Sequence, residues 1–334
     1  MPSALLVSCL DKIEALKKNL LFNQEVQEFL AAQAQNTIVS TLVPLKPHTS
    51  EWKVIEHCAT FSRLYCIYES FVFDVITDWL LKMPGIFTYS ELDTKFKNHH
   101  RTGIAHVLSN LTHQRYQRLN ELDVVKDFFY SINNSKEYSL LPEAFCYHDN
   151  NLRFGPLMQV LSKVSIDNAS EWLNNYPAII KYFQGKGTKT DVEHDLDAFV
   201  QDRNDASHGS VTTVYGTGQL LDSIYFIENL CQGIFELFQK TWIMSCKAKA
   251  LTKNVGKITE YYSRNVVVAV LSHCSIFVGM NIYVVDTHRC YKAKIEELRI
   301  DDKNVPQVAI DSAVEVGLRL DTKAKKGMLF LVPH

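Results

Sequence analysis

Apolar residues recur at steps of three and four over the first two-thirds of the chain and at steps of two over the last third. Leu6, Leu10, Ile13, Leu16 and Leu20 line one face of a helix expected over residues 4–21. The break "TIVSTLVPLKPHTS" closes on Ser50 and Glu51, a capping signal that opens a second helix over residues 51–82. That stretch is apolar on more than one face, with Phe61, Leu64, Tyr65, Tyr68, Phe71, Val75 and Trp79, so it is expected at the centre of a bundle. Further helices are expected near 90–112, 114–132, 156–164 and 167–184, with the irregular stretch "FCYHDNNLRFGP" before the third of them. The turn "QGKGTKTD" ends in a helix cap at Thr190 or Asp191. After that helix and the loop "GSVTTVYGTG", a long apolar helix is expected over 215–243.

Beyond "SCKAKALTKN" the period becomes two. "VGKITEYY", "NVVVAVLS", "SIFVGMNIYVV", "RCYKAKIEELRI", "AVEVGLRL" and "GMLFLV" are short, rich in β-branched and aromatic residues, and separated by Gly or Asp/Lys turns. Six such strands suit a small closed barrel, which leaves no exposed edge. The expected class is α + β multidomain, an all-α bundle followed by a small β-barrel. Its expected parts are an N-terminal helical extension packing on the bundle (1–50), the helical domain (51–243), a basic linker (244–255) and the six-stranded barrel (256–334).

One position breaks the helical pattern. Val192, Leu196, Phe199 and Arg203 fall on one stripe, so an arginine stands where the pattern would place a leucine. A buried guanidinium needs a partner: a carboxylate, a phosphate or a second subunit. His208 follows five residues later, which on an unbroken helix turns it about 140° away from Arg203. Gly209 is the residue type found just past a helix end. The helix is therefore expected to fray or end between Ala206 and Gly209, freeing His208 to swing toward Arg203. Imidazole and guanidinium together suit cleavage of an RNA phosphodiester without metal. His208 would move the 2′-hydroxyl and leaving-oxygen protons, Arg203 would hold phosphate oxygens, and Asn204 would orient the phosphate or the imidazole. A second Arg-to-His spacing, Arg101 to His106, lies mid-helix with Thr102 beside the arginine and no glycine after the histidine. It is set aside.

Composition and charge narrow the classes. The 334 residues, 46% hydrophobic and 22% charged, suit two globular domains and exclude a disordered or fibrous chain. No apolar run reaches the ~20 residues of a bilayer span and the N-terminus lacks a basic leader, so no membrane association and a cytoplasmic location are expected. The eight cysteines form no CxxC pair and are expected as reduced thiols. Residues 1–243 carry a net charge of −7 and residues 244–334 one of +5, which makes the basic end the expected nucleic-acid contact. Within it, Lys247, Lys249, Lys253 and Lys257 are the candidates for touching RNA backbone.

The stretch "DLDAFVQDRNDASHG" resembles the signature of the HEPN superfamily: Arg, a polar residue, three residues, His, and commonly Gly, here Arg203, Asn204, His208 and Gly209. It is most similar to stand-alone defence-type ribonuclease branches, whose first core helix often carries a glutamate, like Glu69 in "YESFVFDV". The resemblance spans residues 51–243. It implies a helical bundle that dimerises so that two motif copies face one cleft, and a metal-independent endoribonuclease leaving 2′,3′-cyclic phosphate ends. Such proteins often act as toxins or anti-phage effectors, which implies RNA as substrate (tRNA, rRNA or mRNA) and an antitoxin or other regulator as partner. The last third is similar to the second domain of translational GTPases such as elongation factor Tu. Gly256, Gly279, Gly317 and Gly327 match, Met280 replaces the usual Asp, and the GTPase domain is absent. That similarity implies a part in choosing the RNA target.

The bland readings stand beside these. Glu69 is expected to pair with a nearby Arg or Lys, with Arg203 one option. Asp202 and Asp205 flank the motif, and Asp205 is a supporting candidate for tuning His208. His194, Asp195 and Asp197 form an acidic run expected to be solvated. No cofactor or metal is expected, since His99, His100 and His106 have no carboxylate or cysteine at useful spacing. The alternative function is a non-catalytic module that binds RNA or the translation machinery.

Overall fold

A computed structural model of the chain describes residues 3–32, 47–147, 151–209, 211–301 and 303–324, and the backbone of the strand at 329–333. Its helical part is built on α1 (Ser3–Ala32), α2 (Thr49–Lys82), α3 (Thr94–Ser109), α4 (Glu121–Ile132), α5 (Phe154–Lys163), α6 (Ala169–Asn174), α7 (Pro177–Gly185), α8 (Val192–His208) and α9 (Thr217–Ala248). Helix α2, about 50 Å long at 1.5 Å per residue, is packed by α1, α8 and α9. Phe61, Leu64, Tyr65, Tyr68, Val72, Val75, Ile76 and Trp79 are all buried, the central position expected from its several apolar faces. Cys9, Ile13 and Leu20 of α1 and Ile224, Ile227, Leu230 and Ile234 of α9 complete this core.

Local chemistry moves several boundaries. The helix over 51–82 starts at Thr49, and its flanking His48 makes no side-chain cap; Ser50 instead bonds the His48 ring at 2.9 Å. Asp191 supplies the cap of α8, accepting from the His194 N–H at 2.9 Å. The helix expected over 90–112 shortens to α3 because Asp93 caps it after a turn of 3₁₀ helix at Tyr89–Glu91. The one expected over 114–132 begins only at Glu121, where Asn120 accepts from Leu122 and Asp123. The one expected over 167–184 is two helices, because Pro177 pushes Tyr176 into an extended conformation. The loop expected at 37–50 lies outside the described residues up to 46.

The last third holds β1 (Thr252–Tyr261), β2 (Val266–Leu271), β3 (Cys274–Phe277), β4 (Asn281–Asp286), β5 (Arg289–Ile300), β6 (Lys303–Asn304), β7 (Gln307–Ile310), β8 (Val314–Leu320) and β9 (Leu329–Pro333). The antiparallel order β4-β9-β1-β2-β8-β5 curls until β4 also pairs with β5, so these six strands form a ring. The single strand expected over "SIFVGMNIYVV" splits into β3 and β4 at Gly279, whose φ of +94° favours glycine. β3 pairs with β7 in a separate small sheet. Gly327 and its neighbours at 325–328 lie outside the described residues.

The expected linker 244–255 is instead the last turn of α9 and the start of β1, joined by three residues. The sheet docks directly on α9. Glu236 accepts from the Cys290 N–H and the Tyr176 hydroxyl, each at 2.9 Å, and Lys240 reaches the Thr287 carbonyl at 2.6 Å. Ile243, Tyr283, Val285 and Cys290 fill the seam. All eight cysteines are free thiols. Among the described residues no helix is long and apolar enough to cross a membrane.

Candidate functional site

Helix α8 buries Val192, Leu196 and Phe199 against α2, and the Phe199 ring lies 5.7 Å from Phe61 and 6.5 Å from Tyr65. One turn on, Arg203 takes the next place in the same stripe. Its guanidinium carbon stands 4.3 Å from the centroid of Tyr65, so the aromatic wall that buries Phe199 continues as a seat for a cation. The Tyr65 hydroxyl donates to Glu69 Oε1 at 2.8 Å and accepts the Leu152 N–H at 2.9 Å. Burial, with that carboxylate nearby, holds the phenol well above its ordinary pKa. Glu69 and Arg203 thus both contact one tyrosine, Glu69 at its hydroxyl and Arg203 over its ring.

The guanidinium is also fastened at its edge. Nη1 donates to Asn151 Oδ1 at 3.0 Å and to Asn204 Oδ1 at 3.1 Å, while Asn151 Nδ2 donates to Asn204 Oδ1 at 2.7 Å. Asn151 comes from the stretch before α5 that reads as irregular. Arg153 ties that stretch to α8 through the Asp197 carbonyl (2.9 Å) and Gln201 Oε1 (2.6 Å), and the Phe154 N–H donates to Asp197 Oδ1. Asn151, Arg153 and Tyr65 are the site's residues that the sequence reading missed. The one signal for Asn151 and Arg153 is the polar run "NNLR" immediately before an apolar helix start.

His208 is placed differently. The helix does not fray before it: α8 runs through His208, and Gly209 caps it with φ +69° and an N–H bonded to the Asp205 carbonyl. His208 is exposed, and a position five residues after Arg203 on an intact helix turns about 140° from it. The structure brings Arg203, Asn204 and, through Tyr65, Glu69 together, and leaves His208 on the open end of the same helix. Asp205 accepts from Gln201 Nε2 at 2.8 Å. Asp202 bonds the Tyr215 hydroxyl; burial raises the Asp202 carboxyl, and burial with that carboxylate pushes the Tyr215 phenol up to about 12.

The acidic run departs from a solvated face. Asp197 braces the Asn151 segment, and Asp195 lies 3.5 Å from Lys186, while His194 is exposed. Asp195, Asp202, Asp222, Lys186, Tyr182 and Tyr215 line a cleft of about 500 Å³ on the stripe of α8 beside that of Arg203. Of the four lysines, Lys247 and Lys257 are exposed, Lys249 pairs with Glu91 at 2.5 Å, and Lys253 donates to the His273 carbonyl. His100 is buried against Phe145, and His106 stacks on Tyr147 with ring centroids 4.4 Å apart. Among the described residues no group of three or more His, Cys, Asp or Glu is placed to hold a metal ion.

Residues 22–240 match the family model described as RiboL-PSP-HEPN, and no curated protein matches the chain.

Proposed function

This chain belongs to the RiboL-PSP-HEPN family, and from that premise we propose that it is a metal-independent endoribonuclease acting as a homodimer through its helical domain. Family membership points to an RNase-type or RNA-related function, and the observation that carries the finer reading is the seated Arg203. Its hydrogen bonds all leave from Nη1, so Nε and Nη2 are without one among the described residues and match two oxygens of a phosphate. The 2′-oxygen attacks phosphorus and the bond to the 5′-oxygen breaks, leaving a 2′,3′-cyclic phosphate and a 5′-hydroxyl. His208 accepts the 2′-proton and, as imidazolium, delivers a proton to the leaving 5′-oxygen, and Arg203 stabilises the charge that builds on the phosphate.

Because Arg203 and His208 diverge on one helix, the second copy supplies the histidine that faces a given arginine. The resemblance to defence-type branches supports a role as a toxin or anti-phage effector with a cognate regulator. The test is RNA cleavage in EDTA by the wild type, Arg203→Ala, His208→Ala and an equimolar mixture of the two variants after subunit exchange. Each variant alone is inactive, and the mixture regains cleavage because its mixed dimers hold an intact Arg and an intact His on different chains. If both variants cut like the wild type, the reading of Arg203 and His208 as the nuclease site fails; if the wild type cuts no RNA, the chain is a binding module. If the mixture stays as inactive as each variant alone, the pairing across two chains fails.

A further inference from the structure

We infer that Asn151 is a positioning residue for Arg203, a role that rests on the nuclease reading above. An arginine side chain has many rotamers to give up on ordering, and a phosphate-binding group displaced by about 1 Å can cost ~100-fold in rate. Something must therefore hold the guanidinium before substrate arrives. Asn204 follows Arg203 directly on the same helix and moves with it. Asn151 does not: it stands 52 positions earlier, on a segment anchored to both neighbouring helices. Leu152 is tied to α2 at both backbone groups, its N–H by the Tyr65 hydroxyl and its carbonyl by the Tyr68 hydroxyl at 3.1 Å. Arg153 and Phe154 are tied to α8 at Asp197 and Gln201.

The amide of Asn151 is used on both sides. Its oxygen accepts from Arg203 and its nitrogen donates to Asn204, so the three side chains close a ring of hydrogen bonds. A carboxylate at 151 would keep the acceptor, lose the donor and offset the guanidinium's charge; an alanine would keep neither. Tyr65 adds the floor. Its hydroxyl donates a hydrogen bond to Glu69, which makes the ring more electron-rich and a better seat for the cation. The ring and the amides restrain Arg203 from two directions and leave the Nε/Nη2 edge to the phosphate.

Side-chain nitrogen NMR of ¹⁵N-labelled protein tests this without any substrate. A clamped guanidinium shows separate Nη1 and Nη2 signals, while a freely turning one shows a single average. The wild type and Asn151→Asp should keep separate Arg203 signals, and Asn151→Ala should merge them. In RNA cleavage, Asn151→Ala should lower kcat ~10- to 100-fold with KM moving less than about threefold, and Asn151→Asp should also be slow despite its ordered arginine. Separate signals together with wild-type kcat in Asn151→Ala would overturn the inference. If the wild type cuts no RNA, the nuclease reading falls, and the NMR still decides whether Asn151 holds Arg203.

Discussion

Two helices of this molecule carry an arginine followed five residues later by a histidine, and the two arginines are seated differently. On α3, Arg101 is exposed and donates to Asn98 Oδ1 at 2.8 Å on its own helix, and His106 is stacked on Tyr147. On α8, Arg203 lies on Tyr65 and is gripped by amides from two segments, while His208 is exposed at a helix end closed by Gly209. The spacing is the same. The difference is what each helix packs against: α8 lays its apolar stripe along the aromatic face of α2, and α3 turns its arginine outward. A spacing motif acquires chemistry when its neighbours hold one side chain still and leave the other open.

The largest effect that separates the two helices is on activity. Arg203→Ala should reduce RNA cleavage about 10³-fold or more, equal to about 4 kcal/mol of transition-state stabilisation, whereas Arg101→Ala should leave the rate within about twofold. Initial rates on one RNA substrate check both, and equal losses would erase the contrast.

The two helices also reverse roles in stability. A Cβ on Gly103 of α3 would lie 1.8 Å from the Ala144 carbonyl oxygen, so Gly103→Ala forces backbone apart and should cost about 3 kcal/mol or more. Gly209 has nothing within 4 Å of such an atom, and only its φ of +69° resists, so Gly209→Ala should cost about 1 kcal/mol. Urea unfolding of the two variants ranks them; the opposite order would mean that α3 is the looser element.

Acid sharpens the same contrast. His100, buried on α3 and bonded to the Tyr89 hydroxyl at 3.1 Å, is held by burial at about 4 rather than 6.5. Its folded pKa is depressed, so the native state disfavours the proton. The associated stability is present above pH ~6.5 and is lost as pH falls toward ~4, by about 3 kcal/mol at most. Denaturation at pH 7 and pH 4 should show that loss in the wild type and less of it in His100→Phe. Equal losses would place the acid sensitivity elsewhere.

Much of this was legible in the chain. The stripe Val192, Leu196, Phe199 and Arg203 announced a helix with a cation on its buried face, because helical periodicity is local. Apolar residues on several faces placed residues 51–82 at the centre for the same reason. What failed was set by contacts distant in sequence. The linker expected at 244–255 is helix and strand because β5 packs on α9, and no local signal reports that docking. The acidic run that reads as solvated contains Asp197, which is half-buried because it caps a segment 43 positions away.

The sequence by itself determined most of the long helices, the odd arginine and the glycine that ends its helix, since each depends on side chains within a turn or two. Only the tertiary structure decided that the arginine's seat is Tyr65, that its clamp includes Asn151, and that His208 points elsewhere. A guanidinium can satisfy its hydrogen bonds in many ways, and which of them is realised depends on the three segments that folding brings together.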